Sequence, residues 1–575
     1  MKLAAATTAF KRLPITGESG PVLLELDLAK GISESPPATP IEALRSMHTP
    51  MLRTVVAHLR RAEQDATVAG LIAHVGNTAL TLAQSEELRA AIARFRTAGK
   101  FTVAQAETFG EMAPDNVGYH LACAFEQIWL QPSGAVGLFG FSAQGLYLRE
   151  ALDKLQIVPQ LGQRHEYKSA ADLFMRAEMS EPVREMMGRL VDSAMQVLLE
   201  DVAADRGLSA DAVRSAATQA PIAAQQALET KLIDRIGYRD QAYAAARERV
   251  AGAQLKYVER YGSGRLEALT STLNSMPTNK PTIGVVQASG PVVLGRGGNP
   301  PMPGRQVACD RVCAGLRAAG RDKHVAAVVL RIDSPGGSYV ASDAIRREVI
   351  ALQDKGIPVV ASMASVAASG GYFIAMPARH VVANQGTVTG SIGVLGGKAV
   401  LAQALGRIGV KTGTVRSSRH ADMFGTHRPF DDAELAMLDR WLDAVYEDFT
   451  GKAAHDRGMD VEDLRAVAKG RVWSGADALE RGLVDQTGGL AVAVDQACKL
   501  AGVRREKADV RPIPKPNPFE QLVPAESSES AAVAAPWELR GPESTLAWLA
   551  EAVGLRMPGV LSLPVMQLPG LLPAR

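Results

Sequence analysis

A chain of 575 residues has ample material for two hydrophobic cores plus extensions. Its 47% hydrophobic and 22% charged residues are ordinary for a soluble globular protein, and a net charge of +2 with no basic stripe interleaved with aromatics argues against a nucleic-acid partner. Four cysteines (Cys123, Cys309, Cys313 and Cys498) are too few for a disulfide framework in a chain this long, and without a neighbouring His or Cys cluster they read as buried thiols, with no metal or cofactor expected.

Residues 1–20 read as a loose N-terminus. The apolar stretch 3–10 is short, rich in alanine and threonine, and closed by Lys11 and Arg12. It makes neither a convincing signal peptide nor a transmembrane helix, which needs about 20 apolar residues. The expected location is therefore cytoplasmic or peripheral to a membrane. Residues 21–253 form a first domain, 254–280 a connector containing Tyr261-Gly-Ser-Gly, and 281–505 a second domain. In the second domain the pattern predicts strands at 282–287, 325–332, 358–363 and 380–383, and helices at 306–319, 339–355 and 369–376. Short β-branched runs alternating with helical periodicity indicate an α/β domain with mostly parallel strands. Residues 506–575 form a C-terminal extension that turns proline-rich from Arg511. Within it, 546–555 has the pattern of a short amphipathic helix, followed by an apolar stretch punctuated by prolines. The prolines, with Glu551 and Arg556, argue against a span; such a tail lies on a bilayer, docks on a partner or stays disordered.

The two domains are copies of one another. Superimposing Gly118-Tyr119 on Gly371-Tyr372 sets an offset of 371 − 118 = 253, which runs without a gap from Asn116 against Ser369 to Gly140 against Gly393. Earlier segments, such as Val68-Ala-Gly-Leu-Ile against Val325-Ala-Ala-Val-Val, match at 325 − 68 = 257. The first copy therefore carries four extra residues between Ala104 and Asn116. Later, Ala227-Leu-Glu-Thr-Lys-Leu-Ile-Asp matches Ala478-Leu-Glu-Arg-Gly-Leu-Val-Asp at 478 − 227 = 251. A period this long marks a duplicated domain, not a solenoid of short repeats.

Potential chemistry sits where strands end. Arg331-Ile-Asp-Ser-Pro-Gly336-Gly337 follows a strand and precedes a helix, and its glycines allow amide N–H groups to face a cleft. Ser369, in Ala-Ala-Ser-Gly370-Gly371-Tyr, has a similar setting: strand, small-residue turn, helix N-terminus. The N–H of Gly370 and one from Gly336 or Gly337 would converge on a developing oxyanion. Read alone, Ser-Gly-Gly is an N-cap with turn glycines. Ser-Pro-Gly-Gly one strand earlier, and the loss of both in the first copy (His74-Val-Gly-Asn, and Asn116 in place of the serine), favour catalysis. The base is less legible. His380 reads as a helix-end or surface histidine, and His420 lies in a polar run with no positional reason to reach Ser369. Lys168, in Arg164-His-Glu-Tyr-Lys-Ser-Ala, is from residue chemistry alone one lysine among many.

Taken together, Ser-Pro-Gly-Gly, Met-x-x-x-Ala-Ala-Ser-Gly-Gly-Tyr, Val-Thr-Gly-Ser-Ile-Gly-Val (388–394), Tyr-Lys-Ser-Ala and Gly-Arg-Val-Trp-Ser-Gly-x-x-Ala (470–478) resemble the signal peptide peptidase A (protease IV) family in its double-length bacterial form. The resemblance covers roughly 21–505. It implies tandem ClpP/crotonase-like domains, repeated ββα turns in a spiral, assembled as a homotetramer. It also implies a serine endopeptidase with a Ser/Lys dyad, acting on extended apolar peptides such as signal peptide remnants. Carried onto this chain, the nucleophile is Ser369 and the general base Lys168. Gly337 and Gly370 supply the oxyanion amides, and Ser391 helps hold the lysine. The second copy offers Arg419, His420 or Ala421 where the first has Lys168, so each copy supplies one member of one site. A free lysine, with pKa ~10.4, is almost wholly charged at neutral pH, so the base requires burial without a paired acid; Glu166 and Asp172 should then point away. Anchored relatives carry an N-terminal transmembrane helix that is not read here. The alternatives are a crotonase-type acyl-CoA enzyme on the same fold and a non-catalytic scaffold near a membrane.

Overall fold

In the first copy, six parallel strands line up in the order Gln254–Tyr257, Val22–Asp27, Val68–His74, Phe101–Ala106, Gln127–Leu130 and Arg235–Ile236. The second copy repeats the order with Asp509–Pro512, Thr282–Ser289, Val325–Ser334, Val359–Ala368, His380–Ala383 and Gln486–Thr487, again all parallel. The computed structural model from which this is read describes residues 20–36, 49–111, 113–261, 280–297 and 305–514, together with the backbone of 561–562 and 566–567. The predicted helix at 546–555 lies outside them. The mixed α/β architecture with parallel sheets and the tandem repeat both agree with the sequence reading. Two segments placed outside the domains are edge strands: Gln254–Tyr257, expected in the connector, closes the first sheet, and Asp509–Pro512, expected in the C-terminal extension, closes the second.

Helices on the sheet faces explain why central strands are apolar throughout: every residue of Phe101–Ala106 and Val359–Ala368 is buried. Each copy has its own large core, and a third apolar cluster lies between them. In it Leu82, Met186 and Leu190 of the first copy pack on Val366, Ala368 and Val388 of the second. Buried polar contacts reinforce this seam. Arg331, 1% exposed, donates to Glu34 at 2.7 Å, Glu87 at 2.6 Å and Ser362 at 2.9 Å. Such a buried cation is tolerable only with partners on several sides, and two of these three come from the other copy.

Two departures from internal symmetry set up the site. The strand predicted to stop at Met363 continues to Ala368, because Val366–Ala368 find a new neighbour in Val388–Gly390, which in turn pairs with Val472–Ser474. The small-residue turn expected before Ser369 is thus a strand that ends at the serine. In the first copy the equivalent strand stops at Ala106. Its counterparts of the added strands, Ala135–Val136 and Ile222–Ala223, pair with each other and meet the continuing chain only through an isolated bridge between Val136 and Phe109. Second, strand Val158–Gln163 leaves the first copy and pairs antiparallel with Leu395–Val400 of the second. Lys168 follows five residues later (168 − 163 = 5) and is carried into the other domain. Among the described residues, no helix is long and apolar enough to cross a membrane.

Candidate active site

Ser369 is wholly buried and adopts φ 56° and ψ −116°, a conformation that L-residues rarely take. Its own N–H donates to the Gly390 carbonyl at 2.7 Å, and its carbonyl accepts from Phe373 N–H at 2.9 Å. Those bonds hold the residue at a sharp strand-to-helix corner, the kind of strain that persists where the surroundings over-determine it. Gly370 opens helix Gly370–Ala375, so its N–H has no partner within that helix.

The Gly336-Gly337 loop meets this corner from the neighbouring strand. A Cβ on Gly370 would lie 3.0 Å from Gly337 N and 3.2 Å from Gly336 Cα, so the two glycine backbones touch. Gly337 has φ 151°, and a Cβ there would fall 2.1 Å from the Val292 carbonyl oxygen. Only glycine fits. The predicted oxyanion residues therefore stand side by side next to the serine.

Lys168 arrives from the first copy and is also wholly buried. Its Nζ lies 2.7 Å from Ser369 Oγ, 3.0 Å from the Ser391 carbonyl oxygen and 3.0 Å from Ser391 Oγ. Burial pushes the amine well below the ordinary lysine range, and no acid offsets it. Glu166 is turned to Lys469 at 3.6 Å, and Asp172 to Arg176 at 3.3 Å, as a neutral Lys168 requires. A neutral amine has two N–H groups for the Ser391 oxygens and one lone pair for the Ser369 hydroxyl. That arrangement permits proton transfer from serine to lysine without further movement.

The lysine stem runs through a glycine sleeve that sequence reasoning did not identify. A Cβ on Gly470 would be 2.5 Å from Lys168 Cβ, and one on Gly393 would be 3.2 Å from Lys168 Cδ. The two strands of this sleeve hold each other: Gly470 N–H donates to Ile392 O at 2.7 Å and Ser391 N–H to Arg471 O at 2.6 Å. Both glycines sit in motifs visible in the sequence, but nothing there indicated that a side chain from 300 residues earlier (470 − 168 = 302) passes between them.

The other candidates are engaged elsewhere. His380 Nε2 is 3.2 Å from Gln486, and His420 Nδ1 is 3.0 Å from Glu434, which also pairs with Arg428. Arg419 bonds Asp431 at 3.1 Å. In the first copy Asn116 clips Gly140 through both ends of its amide, donating to the carbonyl at 2.6 Å and accepting from the N–H at 3.0 Å. Its neighbour Asp115 accepts from Asn77 N–H at 2.7 Å and Gly118 N–H at 3.0 Å. A carboxylate thus satisfies backbone donors at the position equivalent to the second copy's Ser369 corner.

The chain matches the model of peptidase family S49 twice, over residues 96–253 and 351–504. It is 31% identical over 450 residues to the chloroplastic serine protease SPPA of Arabidopsis thaliana, an alignment covering 78% of this chain and 65% of that protein. Protease 4 of Salmonella typhi is 33% identical over 468 residues, covering 79% of this chain and 73% of the relative. Protease 4 of Haemophilus influenzae is 29% identical over 472 residues, with 79% and 74% covered. One match falls in each half of the chain, and the segments that carry Lys168 and Ser369 lie within them.

Proposed function

Because this chain belongs to peptidase family S49 and is a serine peptidase by that membership, we propose that it is a Ser/Lys endopeptidase with one composite site. Neutral Lys168 takes the Ser369 hydroxyl proton as Oγ attacks a peptide carbonyl. The resulting oxyanion is held by the N–H groups of Gly337 and Gly370. Lysine then returns the proton to the leaving amine. Water, deprotonated by the same lysine, splits the acyl-enzyme and restores the serine. Ser391 orients the amine throughout.

The observation that carries this reading is the 2.7 Å contact between two wholly buried groups, Lys168 Nζ and Ser369 Oγ, from different copies. A structural lysine in such a place would be expected to pair with a carboxylate, and this one has none. The substrates are peptides, and we propose that they are extended and apolar, as remnants of signal peptides are. We further propose that each copy is a ClpP/crotonase-like spiral. The borrowed strand Val158–Gln163 is a head-to-tail contact between copies, which supports closure into a homotetramer.

The test is hydrolysis of a fluorogenic apolar peptide by the wild type, Ser369→Ala and Lys168→Ala. Both variants are expected to stay folded and to lose activity by on the order of 1000-fold or more. An active Ser369→Ala protein would point to acyl-CoA-type chemistry instead, since paired amides can serve a thioester without a nucleophile.

A further inference from the structure

The strand that leads to Ser369 does not run straight into it. Up to Met363 it pairs with Val325–Ser334 at a constant offset, with Ile332 facing Met363 (363 − 332 = 31). Two residues later Ser334 faces Ala367 (367 − 334 = 33), so Asp333 stands alone opposite Ala364, Ser365 and Val366. This is a β-bulge with two extra residues on the Ser369 strand. At the same place the strand exchanges its other neighbour, His380–Ala383, for Val388–Gly390. Bulges beside functional sites re-aim a side chain, and this one ends three residues before Ser369 (369 − 366 = 3).

Side chains from both copies hold the bulge. The Asp333 carboxylate accepts the Val366 N–H at 3.1 Å. The hydroxyls of Thr387 and Thr389 donate to the carbonyls of Ala364 and Ala367, each at 2.7 Å. Ser365 Oγ lies 2.7 Å from Oγ1 of Thr81, the N-cap of helix Leu82–Thr97 in the first copy, and the contact is buried. The backbone of Asp333 is fixed separately, its carbonyl accepting the Gly290 N–H at 2.9 Å. In the first copy the acid and the bulge are missing together. Gly76 takes the place of Asp333 (76 + 257 = 333), and a Cβ there would fall 2.7 Å from the Thr108 carbonyl oxygen. The strand beside it, Phe101–Ala106, pairs without a register shift and then stops.

We infer that Asp333 and Thr81 are positioning residues for Ser369, one from each copy, acting through the Ala364–Val366 bulge. The inference rests on Ser369 being the nucleophile. Neither side chain bonds Ser369 or Lys168; both act on the strand that carries the serine. Side chains alternate across a strand, so the register past the bulge decides the face on which Ser369 emerges. A slip of one residue would turn its hydroxyl away from Lys168. Without the Asp333 acceptor the Val366 N–H loses its partner, which favours relaxation of the bulge toward the regular ladder before it. Thr81 belongs to the copy that supplies Lys168, so its contact with Ser365 ties the aim of the serine to the presence of the base.

The test measures kcat and KM for a fluorogenic apolar peptide, and the rate of Ser369 labelling by a fluorophosphonate probe, in full-length chains shown by denaturant melts to be folded. Asp333→Ala is expected to lower kcat and the labelling rate together by about 100-fold, with KM within about twofold of wild type. Asp333→Asn keeps an oxygen for the Val366 N–H and should stay within about threefold of wild type. Thr81→Val should lower both rates by about tenfold, and Thr81→Ser, which keeps the hydroxyl, should restore them. Backbone hydrogen exchange across 364–368 should be faster in the two impaired variants. A residue that only stabilises the fold would shift the melt and leave the rates of the folded protein alone. Folded Asp333→Ala at wild-type rates overturns the inference, as does Asp333→Asn as impaired as Asp333→Ala. If Asp333→Ala does not fold, Thr81→Val decides, and a wild-type kcat there overturns it. All these outcomes presuppose a wild-type adduct on Ser369; an adduct on another serine would sink the Ser/Lys reading and this inference with it.

Discussion

The two copies cap equivalent helices in the same way, yet only one of them forms the Ser369 corner proposed to be catalytic. Helices Leu82–Thr97 and Tyr339–Asp354 start at positions related by 339 − 82 = 257, and each is capped by a hydroxyl one residue earlier, Thr81 or Ser338. One residue before the caps they part. The first copy has Leu80, a buried core residue, and the second has Gly337, whose φ of 151° admits no side chain. At the next strand end the first copy has Asp115 and Asn116, whose side chains bond the backbone groups around them, where the second has Ala368 and Ser369. Conversely, the first copy keeps Lys168 and lends it out. On the proposed chemistry, the comparison teaches that duplication allowed the work to be divided: one domain would supply the nucleophile and its amides, the other the base, and each closes its unused half with ordinary packing.

Substitutions at paired positions should separate these roles, and the largest effect is expected at the oxyanion loop. Gly337→Ala is predicted to lower kcat by about 100- to 1000-fold, because the added Cβ collides with Val292 and displaces the amide. The equivalent Leu80→Ala should leave kcat near wild type and cost about 2–5 kcal/mol of stability, measured by denaturant unfolding. If Leu80→Ala proved as inactive as Gly337→Ala, the division of labour would be wrong. Next, Gly470→Ala should push Lys168 off the serine and reduce kcat by about 100-fold without abolishing acylation of Ser369 by a reactive probe. A smaller loss, about tenfold in kcat with KM unchanged, is expected for Ser391→Ala, which removes one of three contacts to the amine.

The buried lysine also leaves a mark on stability. Its amine is lowered by burial in the folded state and is ordinary in the unfolded chain. Between those two values the unfolded state binds the extra proton, so wild-type stability rises with pH relative to Lys168→Met, by about 1.4 kcal/mol per pH unit. Lys168→Met is therefore predicted to be the more stable protein at neutral pH, with the gap closing as pH approaches ~10.4. Denaturant melts of both proteins at several alkaline pH values check the sign. Finally, Asn116→Ser in a Ser369→Ala background should restore no hydrolysis, because Asp115 stays bonded to the neighbouring amides and, among the described residues, the side chain at 116 bonds Gly140 and no lysine.

Much of this was legible in the chain because repeats expose what one copy has lost. The offsets of 257, 253 and 251 predicted matching sheets, and Ser369 stood out because Asn116 faced it. Lys168 was legible only through family resemblance, since no local property marks a lysine whose environment is built by another domain. The extension of this strand from Met363 to Ala368 escaped the sequence reading because alanine and serine carry weak strand signals, and tertiary pairing with Val388–Gly390 decided the matter. Asp115 as a backbone plug and the Gly393/Gly470 sleeve depend on contacts remote in sequence.

The central claim, that a serine in one copy is activated by a lysine from the other, is tested most directly by labelling with a fluorophosphonate probe and mapping the adduct by mass spectrometry. In the wild type the label is predicted to fall on Ser369, with a rate that rises with pH as the Lys168 amine loses its proton and then levels off. Folded Lys168→Met should show no such rise and almost no labelling at neutral pH. An adduct on any other serine, or Lys168→Met labelled at the wild-type rate, would contradict the composite site.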